Sequence, residues 1–478
     1  MTTKNYNMKN TFNLKALLNL RSKGYKFCID TRTLGFEGDI FIALKGLRDG
    51  HDFVLNAFEK GAKYCIVKND FNLTDLTSDK DLIINLEPKL LYTESQDTLE
   101  SITEIAKQKA NYLKQNNAQI ISVTGSFGKT TVKNLIYFLL SKSGIKEEQI
   151  YKTYKNYNNH IGVPLTLFNC ENDIKYLVCE IGMDHSGEIE HLARILKPDV
   201  AVITSISEVH FENFTNIEQI AIAKGECIKH SSVTVLNKES RCIDVLLEEA
   251  LVVKKPTSIA TINDIADYEY KKDTLTFTLY NKYKFIINKF LTKEYLINLS
   301  LASKAIESCG VSLSFLHNAN LDEFFNSDDM IGRGREIKTK QVTIIDEVYN
   351  CSLESLTNAI KNLASKNGSK LAIIGDMLEL GTVSRQKHEA IFDILQRENI
   401  NNVVMIGKEM IFLYNKFLQI TTLDSNIDIY YYENLSCFLK QHLHNAKLVG
   451  FKKDYDYILL KASNSMGFDK IIKALVNC

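Results

Sequence analysis

A chain of 478 residues is too long for one hydrophobic core and calls for two to four domains. With 45% hydrophobic and 24% charged residues it has an ordinary globular composition. Its 58 Lys plus Arg balance 58 Asp plus Glu, so no net charge draws nucleic acid or an anionic membrane, and an anionic substrate must be held by local cations and backbone N–H groups.

The N-terminal MTTKNYNMKNTF lacks the apolar centre of a signal peptide, and no uncharged apolar run approaches the roughly 18 residues that cross a bilayer. A cytoplasmic protein without membrane insertion is expected. Residues 1 to about 112 alternate short apolar runs (DIFIAL, KYCIVK, DLIINL) with helical patterns, and end in the helical stretch TLESITEIAKQKANYLKQ. The polar KQNNAQ, Lys114 to Gln119, reads as a linker. A second block alternates the strands IISV, KYLVCEIG, DVAVITSI and VTVLN with helices, continues through LINLSLASKAIESC, and ends near NSDDMIGRGRE. A third block repeats the pattern with VTIIDE, KLAIIGDM, NVVMIG and DYILLKAS. The expectation is an α/β protein of three domains: 1–113, a central 114–328 with a mostly parallel sheet flanked by helices, and a Rossmann-like 329–478. The ten cysteines are scattered, with no C-x-x-C and no paired Cys/His spacing. Several sit in apolar runs such as YCIV and LVCEI, where a thiol is a small buried hydrophobe.

The chemistry concentrates at VTGSFGKTTVKNLIYFLL, Val123 to Leu140. A strand, a loop with Gly125, Ser126 and Gly128, and a helix from about Thr130 present backbone N–H groups to an anion. Lys129 adds a cation for terminal phosphates, and a Thr130 hydroxyl is a Mg²⁺ ligand type; Thr131 follows. The long phosphate-loop pattern would put glycine where Val123 stands, so this loop is a shorter form, with Val123 as the last buried residue of its strand. Glu180 ends KYLVCEIG and His210 follows DVAVITSISEV. In an open parallel sheet both lie at carboxyl strand ends, where ligands bind, so a carboxylate, an imidazole and a hydroxyl can converge on metal and phosphate. Lys224, in NIEQIAIAKGECIKH, has nothing in its spacing to separate it from a surface lysine.

TGSFGKTT resembles the ATP loop of the Mur ligases, T-G-x-x-G-K-[ST]-[ST]. The likeness extends to NYNNHIGVPLTL (Asn156 to Leu167), EIGMDHSGEIEHL, KPDVAVITSISEVHFENF, DEVYNCSLES (Asp346 to Ser355), IIGDMLELG (Ile373 to Gly381) and DTRTLGFEGDIFIALKGLRDGHDF (Asp30 to Phe53). The resemblance implies an ATP-dependent amide ligase that joins D-alanyl-D-alanine to UDP-N-acetylmuramoyl-tripeptide through an acyl phosphate, acting as a monomer in peptidoglycan precursor synthesis. It also implies roles. Gly125, Ser126, Gly128, Lys129, Thr130 and Thr131 would hold ATP, with Asn298, Arg333 and Asp346. Thr130 and Glu180 would bind one Mg²⁺ and His210 a second. Lys224 would be carbamylated, turning a repelling ammonium into an anionic oxygen ligand. Asp30, Thr31, Arg32 and Lys45 would hold the uridine nucleotide. Asn158 and Asn159 would face the muramoyl substrate, and Tyr349, Asn350, Lys461 and Ser463 the incoming D-Ala-D-Ala side.

Three places depart from the family pattern. Glu294-Tyr295 replaces a His-Asn pair, Cys351-Ser352-Leu353 replaces Ala-Asn-Pro, and Asn464 replaces an arginine. Two alternatives stay open at this stage. One is another ATP-dependent ligase of the superfamily, adding glutamate to folate or a single amino acid to the muramoyl chain. The other is a degenerate, non-catalytic homologue.

Overall fold

The computed structural model describes residues 10–476 apart from 36–37, 208–212, 272–273, 290, 421–426, 445–446 and 449–454. It divides into two compact units, one of Met1–Ile206, Glu218–Ile259 and Leu301–Leu313, the other of Ser207–Ile217, Ala260–Ser300 and Ser314–Cys478. No helix among the described residues is long and apolar enough to cross a membrane.

The first unit holds two sheets. Strands Phe27–Cys28, Ile40–Ile42, Tyr64–Val67 and Leu90–Tyr92 pair in parallel in that order. The second sheet runs in the order Thr257–Ala260, Val233–Asn237, Val200–Ile203, Gln119–Thr124, Tyr176–Glu180, Ile150–Lys152. Its pairings from Val233–Asn237 through Ile150–Lys152 are all parallel. Such strands are buried on both faces, which is why IISV and VAVI read as continuous apolar runs rather than alternating ones.

The expected linker 114–119 is not one. The helix Thr98–Gln115, capped by the Asp97 carboxylate, runs to within three residues of the strand that starts at Gln119. Lys114 Nζ donates to Lys197 O at 2.7 Å and pairs with Asp199 at 2.9 Å. Two buried cations hold the N-terminal helix Leu14–Ser22 and the helix Thr98–Gln115 against one turn. Arg21 donates to Cys170 O and Tyr25 O and pairs with Glu171, while Lys109 donates to Asn172. A charge this buried is tolerated only when its donors are satisfied.

The second unit contains a three-stranded antiparallel sheet, Ile265–Lys271, Thr274–Leu279 and Tyr283–Ile287, that the pattern reading passed over. Its signal was present: TLTFTL alternates, and Leu275, Phe277 and Leu279 are buried while the threonines between them are not. The second sheet orders Arg335–Lys338, Thr343–Glu347, Tyr457–Lys461, Lys370–Gly375, Asn402–Ile406 and Asp428–Tyr432; only the first pairing is antiparallel. Alternate residues feed two cores: Ile345, Ala372, Ile374, Val403 and Met405 on one face, Ile344, Leu371, Ile373, Val404 and Ile406 on the other. Among the nine described cysteines none is in a disulfide, and all but Cys242 and Cys437 are buried.

Candidate functional site

The strand Gln119–Thr124 lies mid-sheet. The chain leaves it to build one flank, Ile150–Lys152 and Tyr176–Glu180, then crosses to Val200–Ile203 on the other side. Connections therefore diverge at its carboxyl end, the place where open α/β sheets take ligands. Val123 is buried as expected, but so is Thr124, where the strand ends.

Gly125 follows with φ +142°, and Gly128, at φ +81°, caps the helix Lys129–Lys142. That helix packs Val132, Leu135, Ile136, Leu139 and Leu140 into the core at helical spacing, which fixes where its N-terminus opens. The loop is tied to the next strand end: Ser126 N donates to Ser205 O at 2.7 Å, Phe127 N to Ser205 Oγ at 2.9 Å, and the Thr204 hydroxyl to Phe127 O. Thr204 and Ser205 carry this geometry and went unassigned in the sequence, although both stand directly after the apolar run VAVI. A Cβ on Gly125 would lie 2.0 Å from Thr204 Oγ1, in a backbone conformation L side chains rarely adopt. Gly125→Ala is therefore expected to distort the loop and weaken ATP binding by on the order of tenfold, the scale of one such strained residue. Calorimetric titration with ATP checks this.

Lys129 Nζ donates to Gly125 O at 2.7 Å and Ser126 O at 3.2 Å, so the ammonium lies across the loop. Beside it Glu180 is buried. Its carboxylate accepts from Thr130 Oγ1 at 2.9 Å and Asn158 Nδ2 at 3.0 Å, and pairs with Lys133 at 3.3 Å. Burial alone would raise its pKa. The charges of Lys133 and Lys129, with the bonds from Asn158 and Thr130, outweigh that and hold it below the usual carboxylate range. Lys133, like Thr204 and Ser205, was not singled out from the sequence. It stands four positions after Lys129, on the same helix face, so the signal was there.

Lys224 is 1% exposed rather than a surface lysine. Its ammonium has no hydrogen-bond or ion-pair partner among the described residues. Burial first, then the charge of Lys129, depress its pKa well below that of an ordinary lysine, against Cys227 and Asp184. The turn ahead of the helix Glu188–Leu196 is held by Glu188, which accepts from Asp184 N and His185 N, and by Glu226, which accepts from Gly187 N and Glu190 N. His210 lies outside the described residues.

Residues 123–305 match the model of the Mur ligase middle domain. The UDP-N-acetylmuramoyl-tripeptide–D-alanyl-D-alanine ligase of Bacillus subtilis is 31% identical over 458 residues, covering 94% of this chain and 92% of that one.

The chain belongs to this ligase family.

MurF of Thermotoga maritima, solved in complex with ADP, superposes with a TM-score of 0.70 at 25% identity, over 95% of this chain and 97% of that one. A UDP-N-acetylmuramoylalanyl-D-glutamyl-2,6-diaminopimelate–D-alanyl-D-alanyl ligase from Acinetobacter baumannii has the same fold, with a TM-score of 0.73 at 20% identity over 99% and 100% of the two chains.

The remaining residues that the Mur ligase likeness singled out fall as follows. Asn159 is exposed, and its Oδ1 accepts from Ile161 N and Gly162 N, fixing the start of the helix Gly162–Asn169. Asp30 and Arg32 pair at 2.6 Å after the first strand, with Arg32 exposed and Thr31 half-buried. The bonds from Arg32 hold Asp30 below its ordinary pKa. Lys45 is exposed, two residues past the buried Ala43.

In the second unit Asn298 is half-buried on the helix Lys293–Ser308. Arg333 stacks on the Tyr349 ring at 3.5 Å, and the buried Asp346 accepts from Gly332 N at 2.9 Å. Burial raises the pKa of Asp346 against those backbone bonds. Lys461 donates to Asn350 O at 2.7 Å and to half-buried Glu347 at 3.2 Å, and Ser463 donates to Asp376 O at 3.3 Å. Asp346, Lys461 and Ser463 therefore brace their own strand ends.

The departures from the family pattern have local jobs. Tyr295 OH donates to Arg333 O at 2.8 Å, and Ser352 caps the helix Leu353–Ser365 in a reciprocal box with Ser355. Asn464 N donates to Tyr349 O.

Proposed function

We propose that the chain joins D-alanyl-D-alanine to UDP-N-acetylmuramoyl-tripeptide in the cytoplasm, as a monomer, converting ATP to ADP and phosphate. The observation that carries this reading is the Gly125–Thr130 loop with Lys129 across it and Glu180 beside it. A free carboxylate resists amines because hydroxide is a poor leaving group. In the proposed reaction a carboxylate oxygen of the muramoyl peptide attacks the γ-phosphorus of ATP and ADP leaves. The amine of D-Ala-D-Ala then attacks the acyl carbon of that acyl phosphate, and phosphate leaves with the C–O electron pair. Two anions must meet, so the protein contributes chiefly position and positive charge. The loop amides hold the phosphates and Lys129 faces the terminal one.

Thr130 and Glu180 are hard oxygen donors brought to one place, and they fit a Mg²⁺ that otherwise keeps water and phosphate ligands. His210 would serve a second ion. Mg²⁺ supplies charge neutralisation at the transferred phosphate. Lys224 fits carbamylation: its amine is buried, unpaired among the described residues and biased toward the neutral form that adds to carbon dioxide. A carbamate there supplies an anionic oxygen near the cations.

Three domains divide the substrates in this reading. Residues 1–113 hold the uridine nucleotide through Asp30, Thr31, Arg32 and Lys45, residues 114–328 hold ATP, and 329–478 supply Arg333, Asp346, Tyr349, Asn350, Lys461 and Ser463. The muramoyl peptide is of the alanyl-D-glutamyl kind named for the Acinetobacter baumannii ligase. Phosphate release from ATP tests the function. It is expected to need both the muramoyl tripeptide and D-Ala-D-Ala; release with a single amino acid in place of the dipeptide would assign a different ligase.

A further inference from the structure

Two hollows of the first unit share a wall. One, about 580 Å³, runs along the helix Thr98–Gln115 from Glu94 and Ser95, just beyond the strand Leu90–Tyr92 and thus at the carboxyl edge of the four-stranded sheet. Asp30 and Arg32 follow the first strand of that sheet at the same edge. The other, about 390 Å³, is lined by Asn158, Gly182 and Asp184, and Asn158 donates to Glu180 beside the phosphate loop. His160 and His191 line both hollows. Together the two hollows run, within one unit, from the carboxyl end of the first sheet to Asn158, whose amide bonds the Glu180 carboxylate beside the phosphate loop.

The charge along these hollows is uneven. Glu94, Asp97, Glu100 and Glu104 line the first hollow, and Asp184 and Glu188 the second. The lining groups able to carry positive charge are Lys107, His160 and His191. Lys107 is paired with Glu104 at 3.2 Å. Neither imidazole is hydrogen-bonded or ion-paired among the described residues. Burial first, then the charges of Lys107, His160 and Arg194, hold His191 below the ordinary imidazole range, which places the two rings near one another.

A glutamyl residue inside a peptide always leaves one carboxyl free, whichever of its two is in the amide bond. That carboxylate travels between the uridine nucleotide and the acceptor carboxyl, along a passage whose other ionisable groups are mostly acids. The like charges of those acids repel it, and of the lining groups able to carry positive charge only the two imidazoles of the shared wall have no acidic partner among the described residues. We propose that His160 and His191 form the carboxylate-binding subsite for the glutamyl residue of the muramoyl peptide, and so set its register toward the phosphate loop. The proposal rests on the ligase reading above.

The test is calorimetric binding to the full-length chain. Its probes are UDP-N-acetylmuramoyl-alanyl-D-glutamyl tripeptide and the same molecule with the free glutamyl carboxyl converted to a carboxamide. The unsubstituted chain is expected to bind the carboxylate form about tenfold more tightly, the scale of a charge-assisted hydrogen bond. The double variant His160→Ala/His191→Ala is expected to bind both forms equally, with ATP affinity unchanged. The preference is a ratio within each protein, so a modest loss of stability does not move it, and the single variants His160→Gln and His191→Gln should fall between. A double variant that keeps the full preference for the carboxylate overturns the subsite. So does an unsubstituted chain that binds both forms alike. Failure of three-substrate turnover with the preference intact would instead count against the ligase reading alone.

Discussion

Replacing Lys129 with alanine is expected to lower kcat by on the order of 10²-fold or more, the usual effect of losing one donor aimed at developing charge. The reason is local. Lys129 is the ammonium lying across the Gly125 and Ser126 carbonyls, at the start of a helix whose first-turn amides are free of intrahelical partners and suited to an anion. Its removal leaves the fold in place, because the helix is anchored by Val132, Leu135, Ile136, Leu139 and Leu140. Melting temperature should change little while phosphate release collapses. Lys129→Arg should recover part of the rate, since charge is restored but the compact point charge is not. Near-normal turnover in Lys129→Ala would remove the loop from the mechanism.

Lys133→Met is expected to act on stability first, by about 3 kcal/mol, the low end for stripping one partner from a buried ion pair. Both side chains are 2% exposed, so solvent does not screen the loss, whereas Lys129, Asn158 and Thr130 still support Glu180 and keep the cost from being larger. The pH dependence should change sign. With Lys133 present, the pKa of Glu180 is depressed by folding. Its contribution is complete above the unfolded value, near 4.3, and is lost as pH falls through the lower folded value. With Lys133 gone, burial becomes the dominant influence and raises the pKa. The folded state then binds the proton more tightly than the unfolded one, so stability should fall as pH rises through that window. Urea denaturation of both proteins across pH 3 to 7 measures this. A variant with unchanged stability and an unchanged pH slope would show that Glu180 does not depend on Lys133.

Much of the site could be read from residue order. Gly125, Gly128, Lys129 and Thr130 are consecutive, and a loop between a buried strand and a helix is a local structure whose chemistry follows from a few neighbours. Glu180 could be placed at a strand end because KYLVCEIG is apolar up to it. Lys224 could not be recognised from spacing: it is buried on the helix Ile217–Gly225, and Lys129 and Asp184, whose charges act on its amine, are distant in the chain. The antiparallel sheet at 265–287 was legible as alternation and was passed over. The supposed linker at 114–119 was misjudged because a helix runs into it and Lys114 is bonded to residues some eighty positions away.

By itself, then, the sequence determined the elements, the short phosphate loop and the family to which the chain belongs, since each rests on residues adjacent in order or on motifs in fixed succession. The tertiary structure alone decided which strands flank Gln119–Thr124, so that Thr204, Ser205 and Glu180 meet the loop. It also decided that the Glu180 carboxylate sits in a dry, cation-lined position. Strand order and burial are set by contacts between distant segments, and the free energy of a charge depends on that environment rather than on its place in the chain.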